Sequence, residues 1–187
     1  MYIKIDLITT QVYSQKFPIL LKDIEEVVQS CYLGLGTPYQ PIPVDNFISI
    51  GDNRFPDIPA EAKIDIKLHA EDEDLNTYNL TNPQLVCCTL KNIGKAFNDK
   101  DFIAKDYWDT IFDCEPKNIL SAPDGTLYIA PSLEENICRI ATKNDFPDTL
   151  VAYSILFSLN IEHSDGYGRK YYFILDPVVR IRSRPGI

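Results

Sequence analysis

The clearest pattern in the chain is an alternation in which Val151, Tyr153, Ile155, Phe157, Leu159 and Ile161 fall on one face and Ala152, Ser154, Ser158, Asn160 and Glu162 on the other. A period of two sends successive side chains to opposite faces of an extended backbone, so this stretch predicts a long strand. After turn-forming residues 163–168 the alternation resumes at Tyr171, Phe173 and Leu175, then at Val179 and Ile181, with Asp176-Pro177 between as a bulge or edge kink. The two stretches predict an antiparallel hairpin. Residues 2–8 read as a further strand, as do residues 63–69, with Ile64, Ile66 and Leu68 on one face and Lys63, Asp65, Lys67 and His69 on the other.

Other stretches carry helical spacing. Pro18, a residue suited to a first helical turn, precedes Leu20, Ile24, Val27/Val28 and Cys31, which recur at three and four residues until Gly34 and Gly36 permit an exit. Asn82-Pro83 has the form of a cap followed by a first-turn proline, and Leu85/Val86, Leu90, Ile93 and Ala96/Phe97 continue the spacing. A third helix is expected over residues 102–112, and Ser132-Leu133-Glu134-Glu135 fits a capping box before a short fourth one. Pro123-Asp124-Gly125 predicts a tight turn between two short strands. Five prolines in residues 37–59 leave only Phe47 to Ile50 as a short strand and predict a loop or arm. The expected architecture is a single α+β domain over residues 1–187, an antiparallel or mixed sheet built around the long C-terminal hairpin with three to four helices packed on it.

Composition narrows the class. The 187 residues are 45% apolar and 24% charged, proportions that exclude collagen-like and disordered chains. Five cysteines, an odd number with one adjacent pair, point to free thiols in a reducing cytoplasm, so the sequon Asn79-Leu80-Thr81 is read as coincidence. The charge-free run over residues 149–161 is shorter than the roughly 20 residues of a spanning helix, and a soluble protein is expected.

Candidate chemistry is sparse. Asp65-Ile66-Lys67 on a strand, with Asp57 upstream, resembles the PD-(D/E)xK nuclease pattern, in which carboxylates hold a divalent cation and a lysine helps activate water. The same residues are also what any solvated strand face displays. Two histidines, His69 and His163, are too few for a multi-histidine zinc site. Cys87-Cys88 is read as a pair of structural thiols, and the run Glu71-Asp72-Glu73-Asp74 lacks the alternation and glycine of a calcium loop. No cofactor or metal site is expected.

Charge is unevenly distributed. Residues 167–187 hold five basic residues (Arg169, Lys170, Arg180, Arg182 and Arg184) against Asp176, a balance of +4, while residues 1–166 hold 13 basic and 26 acidic residues, a balance of −13. Arg180 and Arg182 share one strand face, and with Arg184, Arg169 and Tyr167 they form the expected binding surface, for a partner protein or a phosphate backbone. The acidic remainder suits a basic or nucleic-acid-binding partner. The leading expectation is a non-enzymatic acidic intracellular protein-interaction module: an inhibitor, an immunity factor or an assembly subunit, with self-association a further route. The alternatives are the metal-dependent nuclease using Asp57, Asp65 and Lys67, and a structural subunit of a phage or multiprotein particle.

Overall fold

A computed structural model describes residues 1–8, 13–19, 24, 26, 28, 34–44, 58–70, 80–92, 105–114, 117–146, 149–162, 166, 168–176 and 178–181. Among the described residues its strands are β1 (Tyr2–Ile8), β2 (Tyr13–Pro18), β3 (Ile42–Pro43), β4 (Lys63–His69), β5 (Leu80–Asn92), β6 (Ile119–Ser121), β7 (Leu127–Ile129), β8 (Ile137–Ala141), β9 (Thr149–Glu162), β10 (Gly168–Leu175) and β11 (Val178–Ile181), and the helix α1 (Lys105–Ile111) lies between β5 and β6. The expected α+β architecture is therefore corrected: the described residues form two sheets, not three to four helices packed on one.

The first sheet has the order β2-β1-β4-β8, with every neighbour antiparallel. Its inner face is the predicted alternation in register: Ile3 opposite Leu68 and Phe17, Ile5 opposite Ile66, and Ile66 in turn opposite Cys138. All of these side chains are buried. In the second sheet, of order β3-β10-β9-β5-β7-β6, β9 is the middle strand. Val151, Tyr153, Ile155, Phe157, Leu159 and Ile161 are all buried, as the alternation predicts. Phe157 stands opposite Phe173 with the rings stacked at 5.3 Å between centroids. The inner faces of both sheets belong to one apolar core. Each large side chain taken fully out of water there contributes about 1.5–3 kcal/mol.

Two expected helices are strands or turns instead. The helix expected from Asn82-Pro83 onward does not open: residues 80–92 are β5, which pairs antiparallel with β9, and residues 93–97 lie outside the described residues. Between Thr81 and Gln84, and again between Leu85 and Cys87, β5 carries one residue more than β9. Each insertion shifts the alternation by one, and the second puts the inward residues Leu85 and Cys88 three apart before a step of two to Leu90, which breaks the period-two signature of a strand. Asn82 has a φ of 56° and therefore belongs to the bulged stretch, not to a helix cap. At Ser132 the capping hydrogen bond does form, with Glu135 N donating to Oγ at 3.2 Å. The chain then reverses at Asn136 (φ 54°) and enters β8, so the cap closes a turn without starting a helix.

Of the other expected helices, α1 lies inside residues 102–112. In the first one, Ile24, Glu26 and Val28 have helical backbone, with Ile24 and Val28 buried and Glu26 exposed. Trp108 of α1 donates Nε1–H to Gly125 O at 2.9 Å, which pins the predicted β6–β7 turn to the helix. The expected strand at Phe47 to Ile50 lies outside the described residues. Part of the proline-rich stretch docks on the sheet: β3 pairs parallel with β10, and Tyr172 N donates to Gly36 O at 2.9 Å. Across Asp176-Pro177 the register with β9 does not change, since Leu175 faces Ile155 and Val178 faces Ala152. The interruption is a break in pairing without the inserted residue that a bulge would bring. Among the described residues no helix is long and apolar enough to cross a membrane.

Candidate functional site

The outer face of the first sheet gathers charged residues from four strands. Lys4 stands directly opposite Lys16 of β2 and Lys67 of β4, which makes a row of three lysines. In the next row Asp6 lies opposite Ser14 and Asp65, and Asp65 lies opposite Arg139. Neighbouring strands are about 4.8 Å apart, so side chains within a row are close neighbours and like charges there repel.

Salt bridges run between the two rows. Lys4 Nζ reaches Asp6 Oδ2 at 3.0 Å, and Lys67 Nζ lies 3.6 Å from Asp6 and 3.7 Å from Asp65. Burial opposes ionisation of Asp6, but hydrogen bonds from Lys4 and Ser14, with the charges of Lys4 and Lys67, outweigh it and hold the carboxyl below its ordinary value. Asp65 is only 1% exposed although it sits on the outward side of the strand. Arg139 covers it with a two-pronged contact, Nε to Oδ1 at 2.7 Å and Nη2 to Oδ2 at 3.0 Å. Hydrogen bonding to Asp65, helped by Glu135, raises the Arg139 pKa.

At the end of the lysine row, Tyr2 and His69 stack at 5.1 Å between centroids, and Lys16 Nζ stands 4.9 Å from the Tyr2 ring centre. Lys16 reaches Tyr2 from β2 and His69 from β4, so the ring already has a neighbour from each adjacent strand. Burial lowers the His69 pKa, and the charges of Lys4 and Lys67 lower it further. Its Nε2 is buried with no hydrogen-bond partner among the described residues.

The nuclease pattern can now be placed. Lys67 and Asp65 do meet, but both carboxylate oxygens of Asp65 accept from Arg139, and a divalent cation would have to displace that guanidinium. Asp57 lies outside the described residues. Among the described residues, no three His, Cys, Asp or Glu side chains are grouped to hold a metal. The solvated-face expectation is also modified, because the central carboxylate is buried and ion-paired. Burial raises the pKa values of the Cys114 and Cys138 thiols to about 12, with Asp109 adding to the effect at Cys114 and Cys87 at Cys138. Cys88, fully buried, is also pushed well up, so these groups are thiols at neutral pH and weak nucleophiles.

Of the expected C-terminal surface, Arg180 is a β11 residue opposite Leu150, while Tyr167, Arg182 and Arg184 lie outside the described residues. Arg169 has a structural partner: Nη2 donates to Leu35 O at 3.2 Å and the guanidinium lies 4.9 Å from the centre of the Tyr171 ring. It thus ties the chain before β3 to β10. The lysine row is not apparent from the sequence pattern as read, because its members come from three separate segments and residues 13–18 carry no strand expectation. Tyr13 and Phe17 stand four apart with Ser14, Gln15 and Lys16 between them, a spacing that does not by itself identify β2.

Searches against family models, curated proteins and solved structures find no match for this chain or its fold.

Proposed function

We propose that the protein is a non-enzymatic binding module that works in the cytoplasm by engaging another macromolecule, as an inhibitor, an immunity factor or an assembly subunit does. The observation that carries this reading is the Asp65–Arg139 contact. The carboxylate best placed for metal or acid–base chemistry is 1% exposed and has both oxygens occupied, an arrangement that favours a fixed charge pattern over a reactive group. Cytoplasmic location is supported by Cys87, Cys88, Cys114 and Cys138, all free thiols.

The test is recovery of the tagged full chain from its source cells, followed by gel filtration. A stoichiometric partner or a defined self-assembly is expected. Divalent-cation-dependent cleavage of DNA or RNA that disappears in Asp65→Asn would overturn the reading, as would a monomer that retains nothing.

A further inference from the structure

We infer that the outer face of the first sheet docks a carboxylate-rich polypeptide segment, with the row Lys16, Lys4 and Lys67 as its anchor; this deepens the binding-module reading and rests on it. The first argument is charge. The outward positions of the four strands hold Lys4, Lys16, Lys63, Lys67 and Arg139 against Asp6 and Asp65, a balance of +3, which Glu135, 3.4 Å from Arg139 in the turn before β8, reduces to +2. Removing those five basic and two acidic residues from the chain totals of 18 and 27 leaves 13 and 25, a balance of −12. A basic face on an otherwise acidic molecule directs an acidic partner to one place.

The second argument is local. Three lysines directly opposite one another across a sheet repel, and Asp6, shared between Lys4 and Lys67, together with Asp65, which lies 3.7 Å from Lys67 but is mainly engaged by Arg139, answers only part of that charge. An incoming carboxylate relieves the remainder. Asp6 already shows the geometry, because one carboxylate there draws two ammonium groups from adjacent strands. Alternate side chains of an extended segment stand about 7 Å apart, a spacing that flexible lysine stems can follow.

The third argument separates polypeptide from nucleic acid. Single-stranded nucleic acid is held by base stacking on aromatic rings as well as by charge. The aromatic ring beside the lysine row, Tyr2, is already engaged, stacked with His69 and with Lys16 Nζ 4.9 Å from its centre. What the face offers is charge alone, and the acidic remainder of the molecule repels a long polyanion more strongly than a short acidic segment.

Fluorescence anisotropy with the full chain in about 50 mM salt tests this, with a fluorescein-labelled twelve-residue peptide of alternating Glu and Ser and an equally long oligothymidylate as probes. The peptide is expected to bind more tightly than the oligonucleotide. Lys16→Gln, at an exposed position, should weaken the peptide by about fivefold, the effect of losing one surface ion pair, and Lys91→Gln on the second sheet should leave it unchanged. The inference is overturned if the peptide does not bind, if the oligonucleotide binds as tightly, or if Lys91→Gln weakens binding as much as Lys16→Gln. A salt-sensitive dimer in light scattering that Lys16→Gln dissolves would assign the face to a second copy and overturn it too. The broader reading fails separately, on other results: the chain recovered from source cells retains no partner and forms no assembly, or it cleaves nucleic acid in a cation-dependent way that Asp65→Asn abolishes.

Discussion

The side chain of Asn136 binds the backbone on either side of Gln84: its Oδ1 accepts from Leu85 N at 2.9 Å and its Nδ2 donates to Pro83 O at 3.3 Å. Asn136 sits in the turn that leads into β8 of the first sheet, and Pro83 and Leu85 belong to the bulged part of β5 in the second. One amide therefore joins the two sheets at the place where the β5–β9 ladder is irregular.

Replacing Asn136 should uncouple that junction. Asn136→Ala removes both hydrogen bonds and leaves alanine at a φ of 54°, where asparagine is better tolerated. A loss of about 2–3 kcal/mol is expected in urea unfolding. Asn136→Asp keeps the acceptor and loses the donor, and should fall between the two.

The Asp65–Arg139 pair should be strongly coupled. Arg139→Ala leaves a buried carboxylate with Lys67 as its remaining salt-bridge partner at 3.7 Å. Breaking a fully buried pair costs about 3–5 kcal/mol, but the Arg139 side chain is 51% exposed and solvent replaces part of its effect, so about 1–3 kcal/mol is expected. Pairing Arg139→Ala with Asp65→Asn in a double-mutant cycle should give a coupling of at least about 1 kcal/mol. Additive losses would show that the contact contributes little.

Stability should fall as pH drops below about 6.5. His69 has a folded-state pKa below its unfolded value of 6.5, because burial and the charges of Lys4, Lys67 and Lys16 disfavour its cation more than Asp6 favours it. The folded state then binds fewer protons, so the His69 contribution is complete above 6.5 and is lost as pH falls through the folded-state value. Asp6, also lowered, contributes a second loss that begins below 3.8. Unfolding free energies measured from pH 7.5 to 5 should decline, and His69→Gln should flatten that decline.

Gly36→Ala should loosen the proline-rich stretch from β10. Gly36 has a φ of +74°, and an added Cβ would lie 2.7 Å from Tyr171 Cδ1 and 3.3 Å from Ile42 Cδ1. Left-handed strain and contact act in the same direction, for an expected loss of about 2 kcal/mol in thermal or urea unfolding. Faster amide exchange at Tyr172, which donates to Gly36 O, would locate the damage.

Strands with unbroken alternation were legible from the sequence: β1, β4, β9 and β10 have the inward residues that their patterns predict, because burial on one face is what specifies them. β5 was not legible. Its two extra residues interrupt the period of two, with a step of three from Leu85 to Cys88, and Asn82-Pro83 supplies a plausible cap for a helix that does not form. Ser132 and Glu135 show the same limit, since a local hydrogen bond is the same whether the chain then coils or extends. For the site, Asp65 and Lys67 were visible as a strand-face pair, while Arg139 and Lys16 were not, because only tertiary register brings distant strands beside them.

The place of β9 in the sheet also bears on how the chain assembles. β5 and β7 are made before their part of the sheet has its middle strand, so during synthesis β5 leaves the ribosome with the edge that will face β9 still open. Pairing across that distance in sequence is slow compared with closing the local β9–β10 hairpin. The nascent protein therefore has an interval in which its second sheet is vulnerable to mispairing, and a chaperone that shields β5 during that interval would raise the yield of folded protein without binding the finished molecule.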